Sequence, residues 1–225
     1  MANIKLICFD FDGTIVDSMP ILEKNAVTLF TKFHPTMAID VAVAKYRSTT
    51  GLPFEQQVEI IFPKETTNKQ MITEFEDLKI ETIFKQELFK ETKEVLQLLK
   101  SKGFLSAISS STFKKIIDEY LKQKELSKLV DIVLGYRPGF EKGKDHFEFL
   151  MNKFSLPPES ICYVGDSLKD MERAVLSKVK FIGRTSVMND ENAFTFEIKG
   201  KGFQKFNTID NLKGLLPLVS KNNLL

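Results

Sequence analysis

The chain of 225 residues contains no tryptophan, two cysteines and two histidines. Cys8 and Cys162 each sit inside an apolar run, where a thiol reads as a small buried hydrophobe and not as half of a disulfide or a metal site. His34 and His146 have no metal-ligand spacing to each other or to a cysteine, so both read as surface or helix-face residues. Long apolar stretches are missing too. Residues 4–11 and 161–164 fall far short of the ~20 that cross a bilayer, so no transmembrane helix is expected. The N-terminus lacks a charged leader followed by a small-residue cleavage site, and a cytoplasmic location is expected. Nor is there an excess of one charge: 32 basic against 30 acidic residues leave a net +2 spread along the chain, which predicts neither a nucleic-acid nor a membrane partner.

What is present is ordinary for a folded chain. A hydrophobic share of 43% and a charged share of 28% suit one core plus a small accessory domain. The 20 phenylalanines read as core composition. Short apolar runs at residues 5–9, 104–108, 132–134, 161–164 and 180–182 have the pattern of buried parallel strands. Helical patterns lie between most of them, including 94–102, ended by Gly103, and 113–121 after Ser111 and Thr112. Alternation of this kind predicts an α/β fold, a doubly wound parallel sheet with right-handed crossovers. One interval breaks the rhythm. Residues 21–33, 53–62 and 68–84 are helical with no convincing strand among them, so a small helical domain is expected at 15–88, inserted into a core of 1–14 and 89–225. Pro20 and Pro53 suit first-turn helix positions. The tail offers a last strand at 194–198 and a closing helix at 209–219.

Four segments could carry chemistry. Asp10 and Asp12 stand two apart at the carboxyl end of the first apolar strand, so both side chains leave on one face, and Gly13 allows the chain to turn away. That edge of a doubly wound sheet is where ligands bind. In the second, Val164-Gly165-Asp166-Ser167-Leu168-Lys169-Asp170, two acids flank the start of a helix, where each could cap it or join Asp10 in a cluster of hard oxygen ligands that suits magnesium. The third, Ser109-Ser110-Ser111, reads as a strand-to-helix turn able to hold a phosphate on backbone amides and a hydroxyl. The fourth is Lys142-Gly143-Lys144 ahead of a helical run at 145–154, where a lysine could neutralise a carboxylate and a phosphate oxygen.

Taken in order, these segments resemble the four motifs of the haloacid dehalogenase superfamily over nearly the whole chain. The opening, Phe9-Asp10-Phe11-Asp12-Gly13-Thr14-Ile15-Val16-Asp17-Ser18, is similar to phosphoglycolate-phosphatase-like and beta-phosphoglucomutase-like members, which carry a helical cap directly after it. The resemblance implies a phosphatase for a small phosphorylated metabolite. Asp10 would attack phosphorus, and Asp12 would protonate the leaving oxygen and then activate water. Magnesium would be held by Asp10, the Asp12 carbonyl and Asp166, with Asp170 as the second acid of the fourth motif. Ser109 would bind the phosphate together with Gly13, Thr14 and Ser110, the last standing where the family often has asparagine. Lys144 would be the catalytic lysine, although the family's Lys-Pro-x-Pro is here Lys144-Asp145-His146-Phe147, and Lys142 is a rival. In the cap, Arg47 and the Thr50-Gly51-Leu52-Pro53 loop resemble substrate-facing residues, with Arg47 able to meet an anion. An ordinary surface arginine ahead of a helix start is an equal reading of Arg47. The cap is expected to close over the substrate, and the chain to be a monomer or weak homodimer.

Rivals within the superfamily are weighed by single residues. An acid at Asp12 argues against a dehalogenase. A phosphosugar isomerase would differ mainly in cap residues and is the runner-up. A phosphonoacetaldehyde hydrolase would need a Schiff-base lysine, for which Lys24, Lys32, Lys45 and Lys64 lie in no diagnostic context. A non-catalytic phospholigand sensor would be expected to have lost one of Asp10, Asp12 or Asp166, and all three remain.

Overall fold

The computed structural model describes residues 3–186, 192–198 and 202–220. The chain divides into two compact units, Met1–Val16 with Leu88–Leu225, and Asp17–Glu87. The first strand, β1 (Leu6–Phe9), is four apolar residues, all buried, as a strand paired on both sides requires.

The unit at Asp17–Glu87 is helical: α1 (Met19–Phe33), α2 (Ile39–Thr49), α3 (Phe54–Ile61) and α4 (Asn68–Ile83). Pro20 lies in the first turn of α1, where its missing N–H costs no hydrogen bond. The interior is aromatic. Phe54 stacks on Phe75 at 3.6 Å between ring centroids and on Phe30 at 6.1 Å, while Phe62 meets Phe30 edge-on at 5.1 Å. Helix α2 is not expected from the sequence. Its β-branched Ile39 and Val41 are exposed, and it buries only Ala42, Tyr46 and Thr49, a stripe too narrow to give a helical period.

The other unit continues through α5 (Thr92–Ser101), β2 (Leu105–Phe113), α6 (Lys114–Gln123), β3 (Ile132–Tyr136), α7 (Lys144–Phe154), β4 (Ile161–Gly165), α8 (Leu168–Leu176) and β5 (Lys180–Arg184). It ends with β6 (Thr195–Ile198), β7 (Gly202–Lys205), β8 (Asn207–Ile209) and α9 (Leu215–Ser220). Six strands form one sheet in the order β3-β2-β1-β4-β5-β8. Every pairing in it is parallel; helical crossovers join β1 through β5, and the strands β6 and β7 lie between β5 and β8. Leu6 and Cys8 of β1 pack with Tyr163, Phe147 and Phe181 in a core cluster under the site edge.

The tail differs from expectation. The strand at 194–198 exists as β6, but it pairs antiparallel with β7 in a separate two-stranded ribbon, and β8 is the sixth strand of the main sheet. The closing helix is shorter than 209–219, because Ile209 belongs to β8 and residues 212–214 form a 3-10 turn before α9. Among the described residues no helix is long and apolar enough to cross a membrane.

Candidate active site

Register alone assembles the site. Phe9 pairs with Ile108 of β2 on one side and with Val164 of β4 on the other, so the next residue, Asp10, lies beside Ser109 and Gly165 at the carboxyl edge of three parallel strands. Asp166 follows Gly165 directly. One carboxylate oxygen from each of Asp10, Asp166 and Asp170 falls within 4.8 Å of the others, and all three residues are buried. The Lys142 ammonium, itself buried, sits 2.8 Å from Asp10 Oδ2 and 2.7 Å from Asp170 Oδ1.

The electrostatics follow from that crowding. Burial, partly offset by Lys142, pushes the Asp10 carboxyl up to about 7. Burial, then Asp10 and Asp170, pushes Asp166 well above the carboxylate range. Burial also works against Asp170, but Lys142 and Arg173, with hydrogen bonds from Lys142 and Ser167, hold it below the usual value. Burial would lower Lys142, yet Asp10 and Asp170 outweigh it and hold the ammonium charged.

Asp170 is the most heavily engaged of the acids. Its Oδ1 accepts from Lys142 and from the Tyr163 hydroxyl at 3.0 Å. Its Oδ2 accepts from the Ser167 hydroxyl at 2.7 Å and the Ser167 N–H at 3.2 Å. Ser167 is the N-cap of α8, and its Oγ accepts from the Asp170 N–H at 3.1 Å while Asp170 Oδ2 accepts from the Ser167 N–H, a capping box, so Asp170 both caps a helix and anchors the buried lysine. Tyr163 also reaches the Ser109 carbonyl at 3.4 Å and thereby ties β2 to this acid. A buried tyrosine needs such partners, which is the one signal that marks Tyr163 in an otherwise apolar strand.

The two lysines of the fourth segment part company. Lys144 opens α7 with its side chain 79% exposed, 3.9 Å from Glu148, while Lys142 points inward at 3%. The expectation that Lys144 joins the acids is therefore not met, and the rival Lys142 occupies the place. Between the two lysines the chain turns at Gly143, whose φ of +109° is open to glycine and closed to proline. A Cβ there would also meet the Arg173 side chain at 3.0 Å. With Lys142 in the place of the family's lysine, the proline after it would fall at residue 143, where this φ excludes it.

Ser109, Ser110 and Ser111 are not a turn at a helix N-terminus. They lie within β2, which runs on to Phe113, and α6 begins only at Lys114. The apolar run stops at Ile108 because the strand there enters the polar site, not because the strand ends. Ser109 Oγ lies 2.8 Å from His146 Nδ1, and both residues are wholly buried. His146 therefore is a helix-face residue but not a surface one. Burial, reinforced by Lys142, lowers it to about 4, so the imidazole is neutral at pH 7. Ser110 Oγ accepts from the Thr112 N–H, and the Thr112 hydroxyl donates to Asp12 Oδ2 at 2.6 Å.

Around the first segment, Phe11 N–H donates to Asp10 Oδ1 at 2.7 Å. Gly13 turns the chain with φ +74°, and its N–H donates to the Val16 carbonyl at 2.9 Å. Thr14 is buried, its hydroxyl without a hydrogen-bond partner among the described residues. Cys8, on the same face of β1 as Asp10, is a free buried thiol pushed up by burial and then by Asp10, and Cys162 is likewise free and raised. Neither is a nucleophile or a ligand in this state.

In the helical unit, Arg47 forms a two-pronged pair with Glu23, Nε to Oε2 at 2.6 Å and Nη2 to Oε1 at 3.0 Å, so its guanidinium already holds a carboxylate. Gly51 lies in the turn between α2 and α3. That turn is fixed by Gln57, which accepts from the Thr49 hydroxyl at 3.1 Å and donates to the Leu52 carbonyl at 2.9 Å.

The chain is similar to several known proteins. Against a phosphoglycolate phosphatase of Haemophilus influenzae the chain is 26% identical over 181 residues, 75% of this chain and 80% of that protein. Against a phosphoglycolate phosphatase of Pasteurella multocida it is 27% identical over 200 residues, 82% and 87% of the two chains. The structure of a haloacid dehalogenase-like hydrolase from Streptococcus pneumoniae superposes with a TM-score of 0.76 at 22% identity, covering 95% of this chain and 97% of that one. Residues 7–184 match the family model described as haloacid dehalogenase-like hydrolase, a span that includes all four segments of the site, and the chain belongs to that family.

Proposed function

We propose that the protein is a magnesium-dependent phosphatase that hydrolyses a small phosphomonoester through a phosphoryl group carried on Asp10. The observation that carries the proposal is the buried set of Asp10, Asp166 and Asp170 around Lys142 at the carboxyl edge of the sheet. Burial, with the repulsion among the acids added to it, raises two of the three carboxyl groups, a state that a divalent cation would relieve, and carboxylate oxygens are the donors magnesium takes. Asp10, the Asp12 carbonyl and Asp166 would hold it. We assign Asp170 instead to anchoring Lys142, since both its oxygens already accept hydrogen bonds. When bound, magnesium supplies positive charge against the phosphoryl oxygens.

The chain's own residues divide the remaining work. Asp10 forms a bond to phosphorus as the bond from phosphorus to the leaving oxygen breaks, and the proton of Asp12 passes to that oxygen. Water then gives a proton back to Asp12 as its oxygen bonds to phosphorus, and the Asp10 carboxylate leaves. Lys142, held charged by Asp10 and Asp170, faces the transferring group with a fixed positive charge. Ser109, oriented by His146, offers a hydroxyl beside Asp10. We place this chemistry in the cytoplasm, where thiols such as Cys8 and Cys162 stay reduced. Phosphoglycolate is the first substrate to try, because the curated relatives act on it by name.

Phosphate release from phosphoglycolate, sugar phosphates and nucleotides tests the reading. Turnover should require magnesium, vanish with a chelator and be abolished in Asp10→Asn. Activity indifferent to the chelator, or retained by Asp10→Asn, contradicts it.

A further inference from the structure

Ser109 and Thr112 are three apart in β2, and in an unbroken strand that spacing sends two side chains to opposite faces. The pairing of β2 with β3 shifts register between Ser109 and Phe113, an irregularity of the kind that re-aims side chains beside active sites. Ser109 then meets His146, while the Thr112 hydroxyl reaches across to Asp12 Oδ2 at 2.6 Å, the length of a charge-assisted O–H···O bond.

The bend is held in place from the neighbouring strand. A Cβ on Gly135 of β3 would stand 2.2 Å from the Lys114 nitrogen and 2.7 Å from the Thr112 carbonyl oxygen, so only a bare backbone lets that segment sit where it does. Thr112 is itself 2% exposed, its N–H is tied to Ser110 Oγ, and β-branching limits its χ1. A small buried hydroxyl with a fixed backbone thus grips one oxygen of the carboxyl group that borders the site.

We propose that Thr112 is a positioning residue for Asp12, an inference that rests on the reading of Asp12 as the proton donor and acceptor. Thr112 holds Oδ2 in both halves of the reaction, and the proton that goes to the leaving oxygen and returns from water is carried on Oδ1. The bond survives both protonation states of Asp12, since either form of that oxygen can accept from a hydroxyl. Its effect is to aim the carboxyl group. No substrate contact of Thr112 is involved.

Leaving-group chemistry separates aiming from mere structure. An alkyl phosphomonoester such as phosphoglycolate needs its leaving oxygen protonated, whereas p-nitrophenolate leaves without a proton. With magnesium present, kcat/KM is measured on phosphoglycolate and on p-nitrophenyl phosphate for wild type, Thr112→Val, Thr112→Ser and Asp10→Asn. Thr112→Val should lose roughly tenfold more on the alkyl than on the aryl ester, a fraction of what general acid catalysis contributes. Thr112→Ser should restore most of it. If Thr112→Val fails to fold, Thr112→Ala removes the same hydroxyl without the branched side chain and should give the same selective loss. Equal losses on both esters, or a serine variant no better than valine, overturn the inference while the proposed function stands, provided Asp10→Asn is dead in the same assay. A wild type inactive on both esters, or an active Asp10→Asn, overturns the proposed function and this inference with it.

Discussion

Two ion pairs of the helical unit lie toward the surface. Lys32 meets Glu74 at 2.6 Å with side chains 55% and 28% exposed, and Arg47 meets Glu23 with 44% and 17%. The interior there stacks phenylalanine on phenylalanine, with Lys79 its one buried charged residue among those described. In the sheet unit charges are taken inside: Lys142 between Asp10 and Asp170, and Arg184 against Glu91 at 3.0 Å with side chains 4% and 7% exposed. Exposed pairs contribute about 0–1 kcal/mol. Buried ones carry a desolvation cost that an apolar substitute would avoid. The carboxyl edge of the sheet therefore holds an arrangement that stability alone would not select, while the helical unit holds one that it would.

The contrast can be broken hardest at Lys142. Lys142→Met leaves the three acids without their buried ammonium, so kcat should fall by at least about a thousandfold, on the scale of roughly 4 kcal/mol in the transition state, with stability also reduced. Lys144→Met, two residues away and exposed, should stay within about twofold, since surface charges contribute little. Steady-state kinetics on the pair, with urea unfolding, checks both. Similar losses in the two variants would erase the distinction.

Next in size is His146. Its folded pKa of about 4 lies below the ordinary 6.5, so between those values the unfolded chain takes up a proton that the folded one refuses. The histidine's share of stability is fully present above pH 6.5, is lost as pH falls through the window, and amounts to roughly 3 kcal/mol. Urea midpoints from pH 7 to pH 4 should decline less in His146→Leu than in wild type. Parallel curves would show that His146 protonates in the folded state.

The smallest effect belongs to the helical unit. Arg47→Met should cost under about 1 kcal/mol, because the pair with Glu23 is largely at the surface. A thermal melt that fell by much more would mean that this pair organises the unit as the buried charges organise the sheet.

How much of this was legible in the sequence depends on the kind of signal. Short apolar runs placed five of the six strands of the main sheet, and the acid spacing at Asp10, Asp166 and Asp170 marked its carboxyl edge, because both are properties of residues near in sequence. Helix α2 was not legible, since its buried stripe is only Ala42, Tyr46 and Thr49. The serines at 109–111 read as a turn because a strand loses its apolar pattern where it lines a polar site. The choice between Lys142 and Lys144 is set by which side chain the folded chain turns inward, which two lysines flanking a glycine do not reveal. His146, Tyr163 and Thr112 join the site through partners 37, 7 and 100 residues away, contacts that only folding supplies.

The central claim is that Asp10 carries the phosphoryl group. Rapid acid quench of a single turnover in the presence of magnesium, with peptide mass mapping, tests it most directly. With p-nitrophenyl phosphate as the substrate, whose leaving group needs no proton from Asp12, the account predicts one transient phosphoryl group on the peptide containing Asp10, accumulating further in Asp12→Asn and absent in Asp10→Asn. Turnover with the phosphoryl group on another residue, or with none trapped in Asp12→Asn, would contradict it.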